Sequence, residues 1–182
     1  MQRMNRYYTK VRKIIEMIKE PMLAVLTALL ISSFIISHTR IPTESMKHTI
    51  YPGDHLIVNR IPYYYRNPER GEIAVFTYEE DHLIKRVIGL PGDIIDIINN
   101  EVHVNGKAID ESRYLDETTK TYLYSGSVID FHYKVPSGYY FMMGDNRINS
   151  KDSRVFGPIP RTAIIAKAGF RIFPLQRIGV VE

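Results

Sequence analysis

The sequence contains no cysteine. This absence excludes disulfide bonds, thiolate metal sites and a cysteine nucleophile, and it is compatible with an exported domain in an oxidising exterior. The 182 residues are enough for one domain plus an anchor, and an apolar fraction of 45% is ordinary for a protein with a core.

Excess positive charge is absent from most of the chain. Residues 1–20 carry six basic and two acidic side chains, which accounts for the whole net charge of +4. A nucleic-acid-binding protein is expected to spread basic charge over a folded face. We therefore predict no nucleic-acid partner.

Formal charge is also missing from residues 21–39, which are strongly apolar. A helix of this length roughly matches a hydrocarbon core of ~30 Å, and a basic flank stays on the cytoplasmic side. We predict a cytoplasmic segment over 1–20, a transmembrane signal anchor over 21–39 and an extracytoplasmic catalytic domain over 40–182. A cleavable signal peptide is disfavoured because no small-x-small site follows before Arg40. A buried core helix is the other alternative.

Helical periodicity ends near residue 41, where short apolar runs bounded by proline and glycine begin. Strands are predicted over 55–59, 73–77, 83–88, 94–98, 102–104, 107–109, 139–143 and 163–167. The hairpin signal Asn105-Gly106 joins two of them. The pattern predicts a mostly β domain, either a barrel or packed sheets, with a looser polar excursion over 110–134.

Two residues suggest nucleophilic chemistry. A serine hydroxyl such as that of Ser45 needs a neighbouring base to take its proton. Lys85 lies in an apolar run, where burial lowers the pKa of an amine and allows it to act as that base. A solvated lysine and a turn-forming serine are the simpler interpretation. A Ser-His pair with His48 is the other alternative, although three residues of extended chain would turn His48 away.

A third segment decides between these interpretations. It is dense in hydrogen-bonding side chains and contains Gly144-Asp145-Asn146-Arg147, Asn149-Ser150 and Asp152-Ser153-Arg154. Together with Pro42-Thr43-Glu44-Ser45-Met46, Gly53-Asp54 and Lys85-Arg86-Val87-Ile88-Gly89-Leu90-Pro91-Gly92-Asp93, it resembles the motifs of bacterial type I signal peptidases. These are membrane-anchored Ser-Lys proteases of peptidase family S26, and the compact chain is similar to their Gram-positive form.

The resemblance implies a role for each matching residue. Ser45 would be the nucleophile, Lys85 the general base, and Thr43 would share the oxyanion hole with the Ser45 N–H. Ser150 would orient the lysine amine. The structural ion pairs would be Asp152 with Arg154 and Asp145 with Arg86. The apolar substrate pocket would be lined by Ile41, Met46, Ile50, Leu83 and Ile84.

The implied fold is a signal-peptidase-like or LexA-like β fold of packed antiparallel sheets, with one N-terminal transmembrane helix. The implied activity is removal of signal peptides from exported preproteins after small residues, at sites of the Ala-x-Ala type. We expect no cofactor and no metal, and a single-pass location in the cell membrane with the lipid bilayer as a partner. Candidates for membrane contact are Phe170, Ile172, Phe173, Leu175, Ile61 and Tyr63–Tyr65.

The chain departs from the family at Lys47-His48, where the family usually has a residue followed by proline. This change affects the expected pocket geometry rather than the mechanism. Two other functions stay open at this point. One is a tethered binding module that does not cut its ligand, and the other is a soluble autopeptidase of the LexA kind.

Overall fold

The computed structural model describes residues 2–123, 127 and 132–182, and for residues 2–11, 31–34 and 36 it describes the backbone alone. The chain divides into two compact units, Met1–Ser37 and His38–Glu182. The first unit is mainly the helix α1, Gln2–Phe34. The second contains most of the β structure and the candidate site.

The predicted membrane anchor over 21–39 is not confirmed. None of the helices that the structure describes is both long and apolar enough to cross a membrane. The predicted helix boundary is wrong, since α1 ends at Phe34 and Ile36–Arg40 forms the strand β1.

Beyond β1, the described chain is built from eleven further strands and two short α-helices. The elements before residue 110 are β2 (His55–Asn59), α2 (Ile61–Tyr65), β3 (Ile73–Tyr78), β4 (Asp81–Gly89), β5 (Ile94–Ile98), β6 (Glu101–Val104) and β7 (Lys107–Ala108). Those after residue 132 are β8 (Tyr133–Lys134), β9 (Tyr139–Met143), α3 (Ser153–Phe156), β10 (Ile159–Pro160), β11 (Ile164–Phe173) and β12 (Gly179–Val180). Two 3-10 turns, Arg161–Ala163 and Leu175–Arg177, flank β11.

The strands form two antiparallel sheets, which confirms the prediction of a mostly β fold of antiparallel sheets. The larger sheet has the order β1-β2-β11-β3-β4-β9-β10, with β12 paired to β11, and the smaller sheet has the order β7-β6-β5-β8. The predicted strands over 55–59, 94–98 and 139–143 match β2, β5 and β9 to the residue. The strand predicted over 163–167 is longer than expected and runs to Phe173.

Strand β4 carries Lys85 into the interior because the residues after Arg86 are apolar on both faces. Val87 packs in a cluster with Phe76 and Met142, and its neighbour Ile88 packs in a different cluster with Phe141. Side chains alternate between the faces of a strand, so both faces of β4 are covered here. The strand is buried continuously from Lys85 to Gly89.

Candidate active site

The structure brings Ser45 and Lys85 together, although forty residues separate them. The amine Nζ of Lys85 lies 2.6 Å from the hydroxyl Oγ of Ser45 and donates a hydrogen bond to it. A second hydrogen bond, 3.1 Å long, joins the amine to the Ile84 carbonyl. Ser45 is 9% exposed and Lys85 only 3%, so the pair is shielded from bulk water. Distances of this kind are those of a nucleophile and its base.

The surroundings of Lys85 favour its neutral form. Burial lowers its pKa from an ordinary value of 10.5 to about 8, and this effect outweighs the opposing attraction of the Asp152 and Asp145 carboxylates. A lysine with a pKa near 8 is partly deprotonated at neutral pH. It can therefore accept the proton of the serine hydroxyl.

The Ser45 hydroxyl opens into a cleft of about 570 Å³. Thr43 lines the same cleft, and its Oγ1 lies 3.4 Å from Ser45 Oγ. Within the described part of the chain, the backbone N–H of Ser45 donates to no acceptor. A larger cavity of about 760 Å³ lies beside Arg86 and Glu182 but includes neither Ser45 nor Lys85. The smaller cleft is thus the one that carries the candidate chemistry.

Both predicted ion pairs are present in the structure and are inaccessible to solvent. Arg86 binds Asp145 through two hydrogen bonds of 2.9 and 2.7 Å. Arg154 binds Asp152 in the same two-pronged way, at 2.9 and 2.8 Å. The side chains in each pair are at most 2% exposed. Paired hydrogen bonds of this geometry are the strong form of the arginine–carboxylate interaction.

Asp152 also holds the chain that passes behind the serine. Its Oδ2 accepts a 3.0 Å hydrogen bond from the N–H of Gly144, and a Cβ atom at position 144 would come within 2.4 Å of the Ser45 carbonyl oxygen. Glycine is therefore required for this close approach.

Ser150 lies next to Gly144, but it does not make the predicted hydrogen bond to the Lys85 amine. Its Oγ is 2.2 Å from where a Cβ of Gly144 would stand. Among the described residues, this buried hydroxyl has no hydrogen-bond partner, so the predicted bond to the Lys85 amine is not formed here. A buried hydroxyl without a partner costs about 1–3 kcal/mol and calls for an explanation.

The predicted pocket residues do not share one surface. Leu83 lines the cleft beside the dyad. Ile41, Met46 and Ile50 are at most 3% exposed and pack in the core, and Ile84 is partly buried against the same cluster. The structure therefore places three of the five in the core and a fourth, Ile84, against it, rather than along the cleft.

Sequence reasoning missed the contacts of the segment over 111–123, which was expected to be loose. Glu111 holds the guanidinium of Arg147 through two hydrogen bonds, one of them 2.9 Å long. Tyr114 stacks on Arg86, with 3.8 Å between the guanidinium carbon and the ring centre. Arg154 donates to the Tyr122 carbonyl at 3.0 Å. No local pattern could have signalled these contacts, because each partner lies tens of residues away in sequence.

At Lys47-His48, where the sequence differs from the family motif, the backbone has a conformation that proline could not adopt. His48 has a φ of 95°, whereas the ring of proline holds φ near −65°. The imidazole Nδ1 lies 3.2 Å from an Asp116 carboxylate oxygen, so it faces the 111–123 segment. The Ser45 hydroxyl is hydrogen-bonded to the Lys85 amine instead.

Comparison with known proteins shows which family the chain belongs to. A family model described as "Signal peptidase, peptidase S26" matches residues 14–173. The chain is similar to the probable signal peptidase I-2 of Synechocystis, with 38% identity over 175 residues, 92% of this chain and 77% of that protein. It is also similar to signal peptidase I P of Bacillus subtilis subsp. natto, with 38% identity over 93% of this chain and 94% of that protein. A crystal structure of a signal peptidase I from Enterococcus faecalis aligns with a TM-score of 0.46 and 27% identity, covering 56% of this chain and 97% of that one.

Proposed function

Since the chain belongs to the signal peptidase family, peptidase S26, we propose that this serine endopeptidase removes signal peptides from exported preproteins with a Ser45–Lys85 dyad. The observation that carries the proposal is the 2.6 Å hydrogen bond between the buried amine and the hydroxyl. A binding module that does not cut its ligand has no need of that contact. Membership in this family also disfavours a soluble autopeptidase of the LexA kind.

In the first step, neutral Lys85 takes the proton of Ser45 Oγ as the oxygen attacks the carbonyl carbon before the scissile bond. The Oγ–C bond forms, and negative charge develops on the carbonyl oxygen. The Ser45 N–H, which has no acceptor among the described residues, and the Thr43 hydroxyl are the donors for that charge.

In the second step, the protonated Lys85 gives its proton to the leaving amine as the C–N bond breaks. Water then attacks the ester carbon while Lys85 takes a proton from it. The Oγ–C bond breaks, Ser45 Oγ receives that proton from Lys85, and the carboxylic acid product leaves. The ammonium formed between these steps needs acceptors. The Ser150 hydroxyl, which has no partner within the described ranges, is suited to be one of them, and this is the orienting role the resemblance implies.

Substrate binding is proposed along the first half of β4. Residues 81–86 of β4 pair with β3, whereas described pairing with β9 starts only at Arg86. Among the described residues, the edge of β4 before Lys85 has no second strand partner, so it can pair with an extended peptide. Leu83 lies on this edge and faces the cleft. A large apolar side chain at this position makes the pocket shallow. A shallow pocket favours substrates with small residues, such as alanine, near the scissile bond.

We also propose that the catalytic unit works at a lipid surface outside the cytoplasm, as the basic N-terminal segment suggests. The predicted contact residues Phe170, Phe173 and Leu175 are 41%, 52% and 70% exposed. Tyr65 is also exposed, but Tyr63 is only 6% exposed and belongs to the core. Exposed apolar and aromatic groups of this kind favour membrane interfaces. Replacing Phe173 and Leu175 by serine should reduce binding of the protein to anionic phosphatidylglycerol vesicles.

The proposed activity is tested with purified full-length protein and a precursor that carries an Ala-x-Ala site. Wild-type protein should release the mature chain, and Ser45→Ala and Lys85→Ala should each abolish release while keeping the wild-type circular dichroism. Matched controls are Ser112→Ala and Lys107→Ala, which alter exposed residues and should cleave normally.

Precursors in which the first or third residue before the cut is varied then test the preference for small side chains. Cleavage by purified Lys85→Ala protein at the wild-type rate would exclude the dyad. Equal cleavage of alanine and phenylalanine precursors would exclude the proposed pocket.

A further inference from the structure

Both carbonyl groups that flank the nucleophile are bound by one residue, Asn146. Its backbone N–H donates a 3.0 Å hydrogen bond to the Ser45 carbonyl. Its side-chain Nδ2 donates a 3.1 Å hydrogen bond to the Glu44 carbonyl. Asn146 is only 8% exposed. The opposite orientation of the amide would face two oxygens towards each other, so the donor role of the side chain follows from the geometry.

The Glu44 carbonyl belongs to the peptide unit whose other end is the Ser45 N–H. A peptide unit is planar, so an atom that fixes the direction of its C=O also fixes the direction of its N–H. The Glu44 oxygen accepts a second hydrogen bond from Lys47 N–H at 2.9 Å. Hydrogen bonds to a carbonyl also polarise the amide and make its N–H a stronger donor.

We propose that Asn146 is a positioning residue that holds and polarises the Glu44–Ser45 peptide so that the Ser45 N–H stabilises the oxyanion. The proposal rests on the peptidase function proposed above. Asn146 does not touch the reacting atoms and acts through the serine amide. Its side chain therefore contributes mainly to the chemical step and little to substrate binding.

The backbone around Asn146 is held firmly enough for such a role. The preceding residue, Asp145, is locked by Arg86 through the buried ion pair. Gly144 packs directly against the Ser45 carbonyl. Removal of the Asn146 side chain should leave these backbone contacts in place, so the peptide plane loses one donor without losing its surroundings.

The test compares Asn146→Ala and Asn146→Leu with wild type in the full-length protein. Leucine has a similar size but no donor, which separates the hydrogen bond from packing. Ile148→Ala is the matched control, because Ile148 lies in the same loop and is 70% exposed. We expect kcat to fall by roughly 10- to 100-fold in both Asn146 variants, less than or similar to the loss of an oxyanion donor itself. KM should stay within about twofold, and the control should match wild type.

A spectroscopic measurement tests the proposal independently of turnover. With 15N-labelled protein, the Ser45 amide resonance should move upfield in Asn146→Ala and stay in place in Ile148→Ala. A wild-type protein that fails to cut any precursor would refute the proposed function, while the amide shift would still report on positioning. An unchanged Ser45 resonance, or a loss seen only in KM or in melting temperature, would overturn the role of Asn146.

Discussion

The burial of Lys85 should set the pH dependence of cleavage. With a pKa of about 8, roughly one molecule in eleven has a neutral lysine at pH 7, against about 0.03% at the ordinary pKa of 10.5. Burial thus raises the population of active base about 300-fold. We expect kcat/KM to rise nearly tenfold per pH unit below pH 8 and to level off above it. The measurement is steady-state cleavage of one precursor between pH 6 and 10.

The same burial should cost stability at neutral pH. Since the folded-state pKa lies below the unfolded one, the unfolded chain binds more protons between pH 8 and 10.5. Stability therefore increases as pH rises through this window. The difference amounts to about 3 kcal/mol, because each pKa unit corresponds to about 1.4 kcal/mol. The variant Lys85→Met removes the charge, so it should be inactive yet up to about 3 kcal/mol more stable at pH 7, with less gain at pH 10.

Urea unfolding of wild type and Lys85→Met at the two pH values measures this gain, and Lys107→Met, on the exposed strand β7, is the control. The reasoning would be refuted by equal gains at pH 7 and pH 10, which would mean that the folded-state pKa is not lowered. It would also be refuted by a kcat/KM profile that levels off near pH 6.5, since that value indicates an imidazole base.

Three further substitutions test how the surroundings hold the dyad. Gly144→Ala places a Cβ 2.4 Å from the Ser45 carbonyl oxygen, so Ser45 has to move. A movement of about 1 Å should lower kcat on the order of 10²-fold in the precursor assay. Glu111→Ala removes the carboxylate that holds the fully buried guanidinium of Arg147 and should lower the unfolding free energy by about 3 kcal/mol in urea, whereas Glu117→Ala, on the exposed surface, should not. His48→Pro is incompatible with a φ of 95° and should lower the melting temperature clearly, while His48→Gly should keep it near wild type.

The strands could be predicted because their apolar runs are short and bounded by turn residues. The hairpin around Asn105-Gly106 is an example, since both residues have positive φ, as the turn requires. The end of α1 could not be predicted in the same way. The uncharged run over 21–39 continues past Phe34, so its composition does not reveal that Ile36 begins a strand.

The contact between Ser45 and Lys85 and the two ion pairs could be predicted from the sequence, because motifs of the family carry these residues. The pocket was less predictable, since an apolar residue next to an active site is equally suited to the core. Met46 and Ile50 lie in the core, whereas Leu83, with the same chemistry, faces the cleft. The partners of Arg147 were out of reach because Glu111 and Thr121 sit in a polar segment whose pattern predicts no packing.

The low pKa of Lys85 should depend on Arg86 and Arg154, because these arginines pair with the two buried carboxylates near the lysine. Asp152 and Asp145 each attract the ammonium and so raise the pKa of Lys85. Each carboxylate is bound by its own arginine, so we expect the positive charge of the arginine to offset part of that attraction. Arg154→Met should therefore leave Asp152 a stronger attractor and shift the rise of kcat/KM to higher pH. Asp152→Asn should shift it to lower pH.

The quantity to compare is the midpoint of the kcat/KM profile, because either variant also lowers stability and with it the height of the profile. The same precursor, assayed between pH 6 and 10, serves for both variants and for wild type. The two midpoints should move in opposite directions only if the charge of the Asp152 carboxylate acts electrostatically on the Lys85 ammonium. Displacements of the same sign would mean that the ion pair acts on Lys85 through packing alone, and the electrostatic account of the dyad would then have to be abandoned.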